Sequence, residues 1–267
     1  MIKIFYWSPF TSKVATVKSV INSAESLNRL FKRTQIKTSI IDAVHEWANY
    51  KDEINEKKIE LIHLNKNSIF NSFKKIGFIR SRIAYLYIIF KSFFPLAKTL
   101  QENKPDFLII HLITSLPLFL FAFKNFKTKF ILRISGFPQI KKNIFRYLFW
   151  KINLRNLNSI TCPTEGTTKL FKNFNFIDPK KINTIYDPII NVNKILKQKT
   201  KSEKLDNKYG QFYVAIGRLT KQKNFSHLIE AFKEFNHNKQ NKLLIVGEGE
   251  EKKILEKKIT NNLLHNQ

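Results

Sequence analysis

Short apolar runs recur along this chain at spacings that leave room for an amphipathic helix between most of them. The runs are Ile2–Trp7, Ile36–Ile41, Ile59–Leu64, Phe107–His111, Phe130–Ile134, Ser159–Cys162, Ile182–Tyr186, Phe212–Ile216 and Leu243–Val246. Each is short enough for a strand and is bounded by polar residues. Between the first two, Val17, Val20, Ile21, Ala24, Leu27 and Phe31 keep helical spacing. Phe225, Leu228, Ile229, Phe232 and Phe235 do the same behind Asn224, which reads as an N-cap. Alternating strands and helices predict an α/β fold with a parallel, doubly wound sheet, which binds ligands at the carboxyl ends of its strands. The pattern fades in Asn191–Lys208, polar and basic throughout. That stretch predicts a linker between a domain over 1–190 and a smaller one over 209–267.

Three segments raise the question of a membrane. Phe107–Phe123 (FLIIHLITSLPLFLFAF) is apolar but is interrupted by His111 and Pro117. At about 17 residues it lies at the lower edge for spanning a bilayer. It predicts a buried strand and then a buried helix capped by Thr114 or Ser115, in whose first turn Pro117 is tolerated. Gly77–Leu100 is aromatic and apolar nearly all round, with Arg80, Arg82, Lys91 and Lys98. Lys141–Arg155 has an apolar stripe at Ile144, Phe145, Leu148, Phe149 and Ile152, with Lys142, Arg146, Trp150 and Lys151 on its other face. Two readings stay open for both: helices lying on an anionic bilayer surface, or helices whose stripes pack on the sheet.

Charge sharpens the choice of partners only in part. The formal net charge is +27, from 47 Lys and Arg against 20 Asp and Glu. Attraction to nucleic acid, anionic lipid or a phosphorylated substrate is one reading. The other is a general abundance of Lys, Asn, Ile and Phe. Arginine, the better reader of bases and phosphates, supplies only 8 of the cations. Nucleic acid is therefore not the expected partner. A single cysteine, Cys162, excludes an internal disulfide. The start, MIKIFYWSPF, lacks the leader of a secreted protein, so the expected location is cytoplasmic.

The chemistry concentrates in Phe212–Lys223, FYVAIGRLTKQK, where an apolar strand ends at Gly217 and a helix follows. Gly217 lets the backbone approach a ligand, Arg218 can fork onto phosphate oxygens, and Lys223 adds a point charge. LLIVGEGEEKKILEKKI repeats the arrangement, with Gly247 and Gly249 between strand and helix. GEGEEK has Lys252 where a dinucleotide fingerprint needs its third glycine, and neither a Walker A sequence nor a G-x-S-x-G elbow is present. One cysteine and six scattered histidines show no metal-ligand spacing, so no metal site is expected.

The GRLTKQKNF segment, followed by LLIVGEGEE, resembles the second domain of retaining GT-B glycosyltransferases, family 4. PDFLIIH at Pro105–His111, FILRISGFP at Phe130–Pro138 and INTIYDPII at Ile182–Ile190 resemble its N-terminal half. The resemblance implies two Rossmann-like domains, the second incomplete, and a nucleoside-diphosphate sugar as donor substrate with no cofactor or metal. It implies that Arg218 and Lys223 hold the donor diphosphate, with Gly217 giving room and Gly247 and Glu248 near base and ribose. His111, ending a strand that points at the cleft, reads either as a contact to a sugar hydroxyl or as a satisfied strand-end residue of the core. Arg133 beside it could pair with a phosphate. The acceptor would be a saccharide or lipid-linked sugar in surface polysaccharide or lipopolysaccharide synthesis. Two departures stand out. Ser8–Ser19 has no glycine after the first strand, leaving Thr11, Lys13 and Thr16 to meet an anion, and Ser135 stands where many members have histidine. The family's later glutamate motif is also missing, which implies a truncated or split transferase, inactive alone. The competing expectations are a non-catalytic remnant that binds membrane or acceptor, and a basic nucleic-acid-binding module.

Overall fold

The computed structural model describes residues 1–11, 15–32, 34–65, 78–111, 115–123, 126–136, 140–155, 157–199, 212–236 and 241–261. They belong to two compact units, Met1–Asn191 and Val192–Gln267.

Unit 1 is built on seven parallel strands: β1 (Ile2–Trp7), β2 (Ile36–Asp42), β3 (Glu60–His63), β4 (Phe107–Ile110), β5 (Lys129–Arg133), β6 (Ser159–Cys162) and β7 (Ile182–Thr184). Their order is β3-β2-β1-β4-β5-β6-β7. The chain starts in the middle, winds outward to β3, then returns to β4 on the other side of β1. The reversal leaves a crevice outside the carboxyl ends of β1 and β4, where open α/β sheets hold ligands.

Helices α1 (Ala15–Leu30) and α2 (Lys51–Glu56) cover one face, and α3 (Phe78–Asn103), α4 (Ser115–Phe123), α5 (Ile144–Arg155) and α6 (Glu165–Lys172) the other. Successive strand residues point to opposite faces, so β1 supplies both cores. Ile4 and Tyr6 pack with Val17, Val20, Ile21, Trp47 and Ile54. Phe5 and Trp7 pack with Ile88, Leu96, Leu116, Phe130 and Trp150. Burial on both faces is why these strands read as nearly continuous apolar runs.

The Phe107–Phe123 segment is a strand and a helix of this core, with 112–114 outside the described residues. Helix α3 is long and apolar enough to cross a membrane by length and composition, yet Ala84, Ile88, Leu96, Ala97 and Leu100 bury its inner face against the sheet. Its outer face shows Ile83, Leu86, Phe90 and Phe94 to solvent. Helix α5 corrects one expectation. Trp150, read as part of the polar face, is buried with Leu154, whereas Ile144, Phe145, Leu148 and Ile152 are exposed, Phe145 to 82%. Of the stripe, only Phe149 packs against the core.

Unit 2 contains α7 (Val192–Lys199), β8 (Phe212–Ile216), α8 (Phe225–Phe235), β9 (Lys242–Val246) and α9 (Lys252–Asn261). Helix α7 lies inside the stretch expected to be a linker. Val192, Ile195 and Leu196 give it one helical turn of apolar spacing, too short to register as a period, and all three are exposed. The rest of that stretch, from 200 onward, is outside the described residues. Strands β8 and β9 pair in parallel, and Ala215 and Ile245 pack on one face under Leu219, Phe225, Ile229 and Leu255. The opposite face carries Val214, Ile216 and Val246, all exposed.

Candidate functional site

In unit 2 the two strand-to-helix loops lie against each other. The Gly217 N–H donates to the Val246 carbonyl at 3.0 Å, Leu219 N–H to that of Glu248 at 2.9 Å, and Glu251 N–H to that of Leu219 at 3.0 Å. This contact explains two of the three glycines. A Cβ on Gly247 would stand 1.9 Å from the Gly217 carbonyl oxygen, and one on Gly249 would stand 2.2 Å from that of Leu219. Backbone meets backbone there, with no space for a side chain. Gly217 differs, because its nearest neighbours would be the Phe225 ring at 3.4 Å and the Lys223 stem at 3.9 Å, ordinary contacts.

Lys223 closes the short helical turn Lys221–Lys223, so its stem runs back over Gly217. Arg218 and Lys223 are both exposed, and among the described residues neither makes an ion pair. Glu248 is exposed and pairs with Lys252 at 3.3 Å. The structure thus places Gly217 and Lys223 together, with Arg218 next in sequence and Gly247 and Glu248 on the facing loop. Asn224 holds the N-cap position of α8 in a left-handed conformation (φ 52) and its side chain makes no capping hydrogen bond. Its carbonyl instead accepts from His227 and Leu228 N–H.

In unit 1, the register puts Ser8 and His111 one step beyond the paired Trp7 and Ile110, at the reversal of strand order. Both are buried, and among the described residues neither Ser8 Oγ nor His111 Nδ1 has a hydrogen-bond partner. His111, Arg133, Thr161, Ser19, Ser23 and Tyr186 line a cavity of about 350 Å³ beside α1. Burial, reinforced by the nearby Arg133 guanidinium and opposed by Asp187, pushes the His111 imidazole down to about 3. His111 is therefore neutral at physiological pH, able to hydrogen-bond a hydroxyl but not to bind an anion by charge.

Arg133 does not present a free cation. Its Nε and Nη2 donate to Asp187 Oδ1 at 2.9 and 2.5 Å, Nη2 also reaches the Ile185 carbonyl at 2.6 Å, and Nη1 reaches Thr161 Oγ1 at 3.3 Å. Asp187 also accepts from Ser19 at 3.2 Å, and Asn22 donates to the Pro188 carbonyl at 2.6 Å. The expected phosphate contact gives way to a brace that ties the segment after β7 to α1. Lys13 lies outside the described residues.

A third group was invisible to residue spacing. Asp42, His45 and His63 converge at the carboxyl ends of β2 and β3, their donor atoms all within 4.8 Å of one another. Next to them Glu46 is fully buried and accepts from the Ala43 and Val44 N–H groups. Burial and then the Asp42 charge hold its carboxyl well above the usual range.

Comparison with known proteins gives this geometry its context. Residues 196–267 match the family model described as Glycosyl transferases group 1. An uncharacterized glycosyltransferase of Methanocaldococcus jannaschii is 27% identical over 275 residues, covering 95% of this chain and 63% of the relative. The chain thus spans less than two thirds of that relative's length. Among solved structures, Anabaena HepE in complex with UDP-glucose superposes with a TM-score of 0.63 at 14% identity, over 100% of this chain and 67% of that one. UDP-GlcNAc 2-epimerase from Neisseria meningitidis, bound to UDP-GlcNAc, gives 0.57 at 12% identity, over 99% and 70%. The fold is α/β and GT-B-like.

Proposed function

We propose that this chain is a glycosyltransferase, or the larger part of one, that moves a sugar from a nucleoside diphosphate to a saccharide or lipid-linked acceptor. The observation that carries this reading is the loop after β8. Two exposed cations, without anionic partners among the described residues, stand at a strand-to-helix junction inside the segment that matches Glycosyl transferases group 1. Cations in that position stabilise the charge that grows on a departing diphosphate. Two structural neighbours, HepE and an epimerase, carry UDP-sugars, so the likeness supports a nucleotide-sugar ligand class more directly than a reaction. The family match and the M. jannaschii relative favour transfer over epimerisation.

In this reading Arg218 and Lys223 hold the diphosphate, Gly217 admits it, and Gly247 and Glu248 stand toward base and ribose. Unit 1 receives the acceptor in the cavity beside α1, with neutral His111 as a hydroxyl partner. Retention of configuration and a role in surface polysaccharide assembly belong to the same proposal, by resemblance. So does work in the cytoplasm, at the surface of an anionic membrane. The bare apolar faces of α3 and α5, flanked by Lys91, Lys98, Arg146 and Lys151, supply the insertion and the attraction.

The test is calorimetric titration of the chain with UDP and with GDP, repeated for Arg218→Ala and Lys223→Ala. Loss of a charge-assisted contact predicts affinities lower by about 10- to 100-fold for each variant. Unchanged affinity in both variants refutes the assignment.

A further inference from the structure

We propose that Asp42, His45 and His63 form a binding site for a divalent transition-metal ion of the zinc type, at the carboxyl ends of β2 and β3. Strand pairing creates the site, because β2 and β3 run parallel with Asp42 opposite His63 in the register. His45 returns to the same place because its backbone is left-handed (φ 66), and its ring stacks on that of His63 at 5.0 Å. That conformation disfavours a residue with a side chain, so something at this turn holds it.

The hydrogen bonding fixes which atoms can bind. His45 Nε2 lies 2.7 Å from the Asn65 carbonyl, which can only accept, so Nε2 carries the proton. In that tautomer the Nδ1 lone pair turns toward Asp42 Oδ2, 3.8 Å away. His63 Nδ1 hydrogen-bonds the same oxygen at 2.7 Å, and a bound ion would replace that proton. Asp42 Oδ2 thus has an imidazole nitrogen on either side, at spacings that bracket those around a metal ion. Ligands of a tetrahedral zinc ion, at roughly 2.0–2.2 Å from the metal, are themselves about 3.3 Å apart. The Asn65 carbonyl on His45 is the kind of outer partner that orients a ligating imidazole.

The charges agree. Asp42 is fully buried at its carboxylate, with the buried Glu46 side chain hydrogen-bonded beside it. Among the described residues no lysine or arginine pairs with either. Two imidazoles with one carboxylate favour zinc, cobalt or nickel over magnesium and calcium, which want oxygen donors. His63 is 44% exposed at its side chain, which leaves a solvent-facing position for a fourth ligand. A bound ion would pin β3, a four-residue edge strand, to β2.

The test uses the untagged full chain, stripped with chelator and titrated with zinc chloride by calorimetry and with cobalt chloride by visible absorption. The expected result is one equivalent bound, tetrahedral cobalt d–d bands, and a rise in unfolding midpoint with zinc but not magnesium. His63→Ala and His45→Gln should each weaken zinc binding at least ~10-fold. Absence of stoichiometric binding overturns the proposal and leaves a proton as the shared cation. Binding unchanged in both variants also overturns it, since the ion then sits elsewhere. His63→Ala removes a half-exposed ring, so an unaltered far-ultraviolet circular dichroism spectrum separates lost ligation from lost folding.

Discussion

Protonation of His111 should make unit 1 unusually sensitive to mild acid. In the folded chain its imidazole titrates near 3, against 6.5 for the free group, because it is buried beside Arg133. Between those two values the unfolded chain takes up a proton that the native state refuses. Stability is therefore fully present above about pH 6.5 and is lost as the pH falls toward 3, at about 1.4 kcal/mol per pH unit. Going from about pH 7.5 to about pH 5, the native state should lose about 2 kcal/mol through this residue alone. His111→Asn keeps a neutral amide in the site and removes the titration. The assay is urea unfolding followed by tryptophan fluorescence, since Trp7, Trp47 and Trp150 are all buried in unit 1 and report on it alone. The other histidines contribute equally to both proteins and cancel in the difference. The variant starts at its own stability, but its loss over this range should be smaller than that of the parent by about 2 kcal/mol. Parallel losses in the two proteins would show that His111 accepts its proton without cost, and the burial argument would be wrong.

Two further outcomes are expected. Gly247→Ala forces a Cβ onto the Gly217 carbonyl and should destabilise unit 2 by about 1–3 kcal/mol, whereas Gly217→Ala, with only ordinary contacts, should have much less effect. Amide exchange of β8 and β9 reads the contrast, and equal protection in the two variants would remove the packing explanation. Phe145→Glu alters a residue that touches little of the protein, so the unfolding midpoint should hold while sedimentation with phosphatidylglycerol vesicles falls several-fold. Undiminished vesicle binding would move the membrane contact away from α5.

The strands were legible because each is an apolar run cut off by polar residues, a local signal that the sheet only has to collect. The observed bounds of β1, β6 and β8 coincide with those expected, and the others differ by a residue or two at one or both ends. Helix α5 was not legible in the same way. Its spacing gives two apolar arcs, one around Trp150 and Leu154 and one around Phe145 and Leu148, and only the neighbouring helices decide which turns inward. Contacts between distant residues were hidden altogether. Arg133 finds Asp187 across 54 positions, and Asp42 finds His63 across 21. No motif spacing announces such pairs; they follow from strand register, which a single sequence does not display. The loop after β8 lies between these cases. Its cations could be read from the sequence, but the close approach that demands glycine at 247 and 249 could not.

The bare face of the β8–β9 sheet has a colloidal consequence when set beside the net charge of +27. Val214, Ile216 and Val246 offer a flat greasy surface, and mutual repulsion between like-charged molecules is what opposes its burial against a second copy. Salt shortens that repulsion to about 10 Å at 0.1 M. Dispersal of this chain in solution should thus depend on dilute electrolyte, opposite to the habit of proteins that salt in.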